Sequence, residues 1–260
     1  MKAFLCLCCI VLLTACSSAP TIDRSIVSAN QDSRVQFVVL HYTSTDLAHS
    51  LALLSQGEVS SHYLIAEQPA TIYQLVDENR RAWHAGASQW RGRTWLNAST
   101  IGIELVNQGF TDTPEGRVWQ PYSEAQIDAL ILLLKDIVQR HQLPTGSIIG
   151  HSDIAPQRKV DPGPLFPWRR LGEAGLIPWP DAAVVAQATT RFSRELPSAS
   201  WFVAQLRQQG YAVPATEKWD KPLHNVLAAL QMKYRPARFD GQPDAETAAL
   251  LQVLNSTAEH

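Results

Sequence analysis

Val35-Gln36-Phe37-Val38-Val39-Leu40-His41 is a valine-rich apolar run that ends on a histidine. A run this short and this continuously apolar reads as a strand covered on both faces, as in sheets with helices on either side. The pattern recurs at residues 101–106, and again at 147–150, which leads directly into His151. Shorter strands are expected at 61–66 and 71–75. Helical spacing appears at 46–54. The strongest helix spans 123–141: Ser123 and Gln126 read as a capping box, and Ile127, Leu130, Ile131, Leu134 and Ile137 form one apolar stripe. Pro144 marks its end, and a proline-rich loop occupies 154–168. Strands and helices alternating in this way predict an α/β fold, a mixed β-sheet flanked by helices.

Composition shifts near 178–181. Residues 185–257 read as a small C-terminal all-α domain, with helices at 201–209, 223–232 and 245–254 punctuated by Gly210, Pro214, Pro236 and Gly241. At the other end, Lys2 followed by an apolar run over 3–13, too short to span a bilayer, predicts a signal peptide over 1–15. Leu13-Thr14-Ala15-Cys16 resembles the lipobox of bacterial lipoproteins and implies acylation of Cys16. Residues 16–34 then form a tether, and 35–180 the sheet domain. All four cysteines lie within the first sixteen residues. A chain starting at acylated Cys16 has no free thiol, so any metal site must use His, Asp or Glu. A net charge of −2 argues against a nucleic-acid partner. A diacyl anchor brings such a chain to a membrane surface without a transmembrane helix.

Sites in α/β proteins gather at the ends of buried strands. His41 and His151 sit at such ends, and Asp161 is held in the proline-rich loop. Two His and one carboxylate with an open fourth position is a catalytic zinc pattern. Glu104 lies inside an otherwise apolar strand, where a carboxylate is costly unless paired or hydrogen-bonded; a Glu beside bound water can serve as general base. Lys159 could stabilise an oxyanion. Taken singly, each has an ordinary alternative: a structural strand-end histidine, a core ion pair at Glu104, or a surface pair between Lys159 and Asp161.

Five segments, in order along the chain, carry a resemblance. The first is His41-Tyr42-Thr43, and the second is Ser60-Ser61-His62-Tyr63-Leu64-Ile65. Gln74-Leu75-Val76 with Trp83-His84-Ala85-Gly86 is the third, and the fourth runs from Ser99 through Ile101-Gly102-Ile103-Glu104-Leu105-Val106-Asn107. The fifth is Gly150-His151-Ser152-Asp153, continuing through Lys159 and Asp161 to Trp168. Together they resemble the N-acetylmuramoyl-L-alanine amidase family of phage lysozyme-type amidases, AmpD-like enzymes and peptidoglycan recognition proteins, and within it the AmiD-type lipoprotein amidases. The resemblance covers roughly residues 35–180. It implies one zinc ion per chain on His41, His151 and Asp161, with Asp161 standing where some relatives have Cys. It implies Glu104 as catalytic acid/base and Lys159 as transition-state stabiliser. The expected reaction is hydrolysis, by zinc-activated water, of the amide between the lactyl group of N-acetylmuramic (or anhydromuramic) acid and L-alanine of the stem peptide. The expected partners are peptidoglycan and muropeptides, together with a membrane reached through the lipid anchor, on the periplasmic face of the outer membrane.

His84, Trp90 and Arg91, with Trp95, are further candidates to line a sugar or peptide groove, with structural support at His84 and packing at the other three as the equal alternative. His62 reads as structural, and Asn97 and Asn107 as satisfying loop backbone groups. Residues 230–234 and 240–247 resemble the peptidoglycan-binding domain family, which implies wall binding; a structural cap on the sheet domain is the alternative. The rival readings are a non-catalytic peptidoglycan-binding lipoprotein, a zinc peptidase acting within the stem peptide, and a structural lipoprotein tethering wall to membrane.

Overall fold

The computed structural model describes residues 19–214 and 218–257. Residues 19–32 are exposed, carry no helix or strand, and belong to a separate unit from Ser33–His260. The expected signal peptide and Cys16 lie outside the described residues.

From Ser33 onward the elements are β1 (Phe37–Tyr42), α1 (Leu47–Gln56), β2 (Tyr63–Ile65), β3 (Ile72–Gln74), α2 (Leu96–Ser99), β4 (Thr100–Leu105), β5 (Phe110–Thr113) and β6 (Gly116–Trp119). They continue with α3 (Glu124–His141), β7 (Ile148–Gly150), α4 (His151–Ile154), α5 (Trp168–Glu173), α6 (Ala182–Phe192), α7 (Ala199–Gln209), α8 (Lys221–Tyr234) and α9 (Ala245–Thr257). The main sheet has the order β3-β2-β4-β1-β7; only β3 runs antiparallel to its neighbour, so the sheet is mixed as expected.

Alternation along β1 and β4 divides the core between two faces. Val38, Leu40, Ile101, Ile103 and Leu105 pack with Ile127, Leu130, Leu134 and Ile137 of α3. Phe37, Val39 and Ile149 on the opposite face pack with Phe202, Leu206, Val226, Leu230 and Leu251 of the C-terminal helices. The expected C-terminal helical region is present and begins at Ala182, behind the Asp181 cap; its apolar stripes complete the core on one face of the sheet, as the structural-cap alternative expects.

The start of α3 also differs from expectation. Ser123 caps it, accepting from the Gln126 backbone amide at 3.2 Å. The Gln126 side chain does not close the capping box; its amide donates to the carbonyls of Ile65 and Val106, both at 3.0 Å. The Ile65 carbonyl already accepts from the Val106 amide at 2.9 Å, so the Gln126 side chain adds a second donor there and bridges the ends of β2 and β4 instead of closing the cap. The β5–β6 hairpin has no counterpart in the sequence reading, although Pro114-Glu115-Gly116 supplies turn residues, with Gly116 at φ 125°.

Candidate active site

His41 and Glu104 face each other across the parallel β1–β4 register. Both lie on the sheet face that carries Phe37 and Val39, near the C-terminal strand ends. Gly102, two residues before Glu104, leaves the space that the His84 ring occupies: a Cβ there would stand 2.4 Å from His84 Cγ. His151 follows β7 as the first residue of α4. The backbone amide of Ser152 donates to the Asp161 carbonyl at 2.8 Å, which ties the proline-rich loop to the start of α4.

These elements bring three buried side chains together. His41 Nδ1 lies 2.9 Å from His151 Nδ1 and 3.2 Å from Asp161 Oδ2, and His151 Nδ1 lies 3.0 Å from the same oxygen. The surrounding hydrogen bonds assign the imidazole protons. The Thr100 hydroxyl donates to the Leu96 carbonyl at 2.7 Å, so its oxygen accepts from His84 Nε2–H at 3.1 Å. His84 Nδ1 is then an acceptor, and His41 Nε2–H donates to it at 3.0 Å. His151 Nε2 lies 3.2 Å from the Ala85 carbonyl and 3.3 Å from Arg158 Nη2; Arg158 Nη2 itself donates to that carbonyl at 2.5 Å, which leaves the Nε2 proton directed at the carbonyl and Nδ1 unprotonated. Both Nδ1 lone pairs and a carboxylate oxygen thus converge with no proton assigned between them. Such a set suits a cation, and among the described residues these atoms are the group placed to hold a metal ion.

The electrostatics agree. Burial, then the neighbouring His151, lowers the His41 imidazole to about 4, against the opposing pull of Asp161. Burial, followed by the charges of His41, His62 and His151, holds His84 well below the ordinary histidine range. Burial pushes the Asp161 carboxyl up, yet the charges and hydrogen bonds of His151 and His41 together carry it far below the usual carboxylate range.

Glu104, Lys159 and the three convergent residues line one pocket of about 200 Å³, walled also by Leu53, Leu54, Val59 and Trp83. Glu104 Oε2 is sealed from solvent and has no hydrogen-bond partner among the described residues. Burial, then Asp161, raises its carboxyl to about 8, while Lys159 pulls it back. An unpaired carboxylate of high proton affinity beside a prospective cation site is suited to moving a proton.

The other candidates separate. His84 lines the pocket but spends both ring nitrogens on His41 and Thr100. Trp90 is not in this pocket; it is buried edge-on to Tyr211, with ring centroids 4.9 Å apart, in the core shared with the C-terminal helices. Arg91 lines a different cleft, together with Trp90, Pro144 and Tyr211, because Trp90 pairs its backbone with Arg93 and the Arg91 amide donates to the Gly210 carbonyl. Trp95 is exposed beside Trp83 in a neighbouring hollow. His62 is internal: Nδ1 accepts from the Gly102 amide, and Nε2–H donates to the Arg80 carbonyl. Asn97 accepts from the amides of His84 and Ala85, and Asn107 donates to the carbonyls of Gln120 and Pro121. Sequence reasoning passes over Thr100 and Gly102, whose parts depend on the packing of His84 against β4.

The chain matches the family described as N-acetylmuramoyl-L-alanine amidase (Amidase_2) over residues 31–164. It is 41% identical over 228 residues to N-acetylmuramoyl-L-alanine amidase AmiD of Escherichia coli (strain K12), covering 85% of this chain and 82% of that protein. The solved complex of E. coli AmiD with anhydro-N-acetylmuramic acid-L-Ala-D-gamma-Glu-L-Lys superposes with a TM-score of 0.83 at 38% identity, covering 91% of this chain and 94% of that one. AmpDh3 of Pseudomonas aeruginosa in complex with anhydromuramic pentapeptide gives a TM-score of 0.85 at 40% identity, covering 92% and 98%. With a matched family spanning more than half of its length and a relative this similar along most of both chains, the protein belongs to the N-acetylmuramoyl-L-alanine amidase family.

Proposed function

We propose that this chain is a zinc-dependent N-acetylmuramoyl-L-alanine amidase, hydrolysing the amide between the lactyl group of N-acetylmuramic or anhydromuramic acid and L-alanine of the stem peptide. The observation that carries the reading is the convergence of His41 Nδ1, His151 Nδ1 and Asp161 Oδ2 beside the unpaired Glu104 carboxylate. The muropeptides in the two similar complexes support the substrate class.

His41, His151 and Asp161 would hold the metal. A zinc ion bound there supplies Lewis acidity, lowering the pKa of water and polarising a carbonyl. Glu104 accepts the proton of the attacking water and returns it to the leaving L-alanine nitrogen, so the C–N bond breaks as the C–O bond forms and the products are a lactyl carboxylate and a free amine. Lys159 faces the same pocket and stabilises the negative charge that develops on the carbonyl oxygen. Thr100 and His84 keep the His41 proton on Nε2 and its other nitrogen free. The test is digestion of purified muropeptides with and without a chelator, read by mass spectrometry. Chelator-sensitive release of peptides beginning at L-alanine is expected; cleavage inside the peptide would replace the reading with a peptidase.

The lipobox-like Leu13-Thr14-Ala15-Cys16 supports acylation at Cys16 and attachment to the periplasmic face of the outer membrane. Fractionation of cells expressing the wild type and Cys16→Ala tests this: the wild type should sediment with outer membrane and the variant should not. Identical distribution of the two would remove the anchor.

A further inference from the structure

Asp153, two residues after His151, is a buried carboxylate with three donors. Its Oδ2 accepts from the Gly150 amide at 2.9 Å and from Lys233 Nζ at 3.0 Å, and its Oδ1 accepts from the Tyr211 hydroxyl at 2.6 Å. Lys233 comes from α8 and Tyr211 from the segment after α7, so two of the three donors belong to the C-terminal helical region. Both are buried, and Lys233 Nζ also sits 4.3 Å from the centroid of the Trp168 ring. Trp168 and Pro162 in turn abut Gly150: a Cβ on Gly150 would lie 2.9 Å from Pro162 Cδ and 3.2 Å from Trp168 Cζ2.

We propose that Lys233 and Tyr211 are positioning residues of the catalytic pocket, acting through Asp153 to fix the turn from β7 into α4. Gly150 is pinned by the Asp153 carboxylate, and Ser152 is pinned by the Asp161 carbonyl. His151 lies between these two anchors, so the set of its imidazole relative to Asp161 depends on both. A buried carboxylate needs a compensating charge, and the only cation bonded to Asp153 among the described residues is Lys233. The C-terminal helices are in this respect part of the active site, a role separate from any contact with the wall. The inference rests on the proposed metal role of His151, and its test includes a readout that does not need metal.

The experiment compares full-length wild type with Lys233→Met, Tyr211→Phe and Val226→Ala. Val226 is a core residue of α8 that does not bond to Asp153, and it serves as a control for general loss of stability. Three measurements are made: amide exchange at Gly150 and Ser152 in metal-free protein, zinc affinity by chelator competition, and steady-state kinetics (kcat and KM) on a muropeptide. Lys233→Met should speed exchange at both amides and weaken zinc binding by about 10–100-fold, the range for partners that orient metal ligands. It should lower kcat with KM held within about twofold, and Tyr211→Phe should move the same quantities in the same direction by less. Val226→Ala, at a matched fall in denaturation midpoint, should leave zinc affinity unchanged. Wild-type exchange and zinc affinity in both Lys233→Met and Tyr211→Phe would overturn the proposal, as would a Val226→Ala variant that reproduces their losses. Should Lys233→Met not fold, Tyr211→Phe carries the decision. Should the wild type bind no zinc, the metal reading fails, and exchange at Gly150 and Ser152 still decides the positioning role.

Discussion

Replacing Glu104 with Gln is expected to cut turnover steeply while making the metal-free protein more stable at high pH. The unfolded carboxyl titrates at about 4.5, whereas burial and the nearby Asp161 raise the folded one to about 8. A raised folded pKa means that the protonated side chain stabilises the fold fully below pH 4.5, and that this contribution is lost as pH climbs through 8. At about 1.4 kcal/mol per pH unit, the interval sets a ceiling near ~5 kcal/mol. Water entering the open pocket on ionisation brings the expected difference to roughly 2–3 kcal/mol. Gln has the same shape and never ionises. Urea unfolding of chelator-treated wild type and Glu104→Gln at about pH 5, 7 and 9 should therefore show near equality at the lowest pH and a widening advantage for the variant toward the highest. A cation held by His41, His151 and Asp161 lowers the Glu104 pKa, so adding zinc should close the gap. Turnover of the zinc-loaded variant should fall by about 10²–10⁴-fold, as for removal of a general base. A stability difference independent of pH, or a variant with near-normal turnover, would refute the reasoning.

His151→Ala should lose stoichiometric zinc, measured by atomic absorption after gel filtration; unchanged stoichiometry would remove His151 from the ligand set. Lys159→Met should lower kcat by about 10²–10³-fold with zinc content unchanged, as expected for loss of an oxyanion partner. Gly102→Ala places a methyl group against the His84 ring and should cost about 1–3 kcal/mol in urea unfolding while weakening zinc affinity. The metal-free protein should lose stability as pH falls from 6.5 through about 4, because His41 accepts its proton more readily when unfolded. His41→Asn should flatten that part of the profile.

The strands of the main sheet, the main helix and the ends of β1 and β7 are legible in the sequence because each is a local pattern: a continuous apolar run, a 3.6-residue stripe, or a break at proline or glycine. His41, Glu104 and His151 can be picked out for the same reason, as polar residues set against apolar runs. Asp161 and Lys159 lie in a loop with no periodicity, and there the resemblance carries the reading. Trp90 and Arg91 show the limit of composition: aromatic and cationic residues suit a sugar groove, yet the backbone turn at 90–93 places both along a separate cleft, with Trp90 buried in the core shared with the C-terminal helices.

What the sequence by itself determined is the class of fold and the inventory of reactive groups, since hydrophobic period and residue chemistry are properties of neighbouring positions. Only the tertiary structure decided which lone pairs meet. The proton on His41 is set by a chain through His84 and Thr100 to the Leu96 carbonyl. The setting of His151 depends on Asp153 and its partner Lys233, which stand 80 positions apart along the chain. The tertiary structure also decided that the C-terminal helices share a core with the sheet, because an amphipathic stripe records that a face must be buried and carries no information about which surface will cover it.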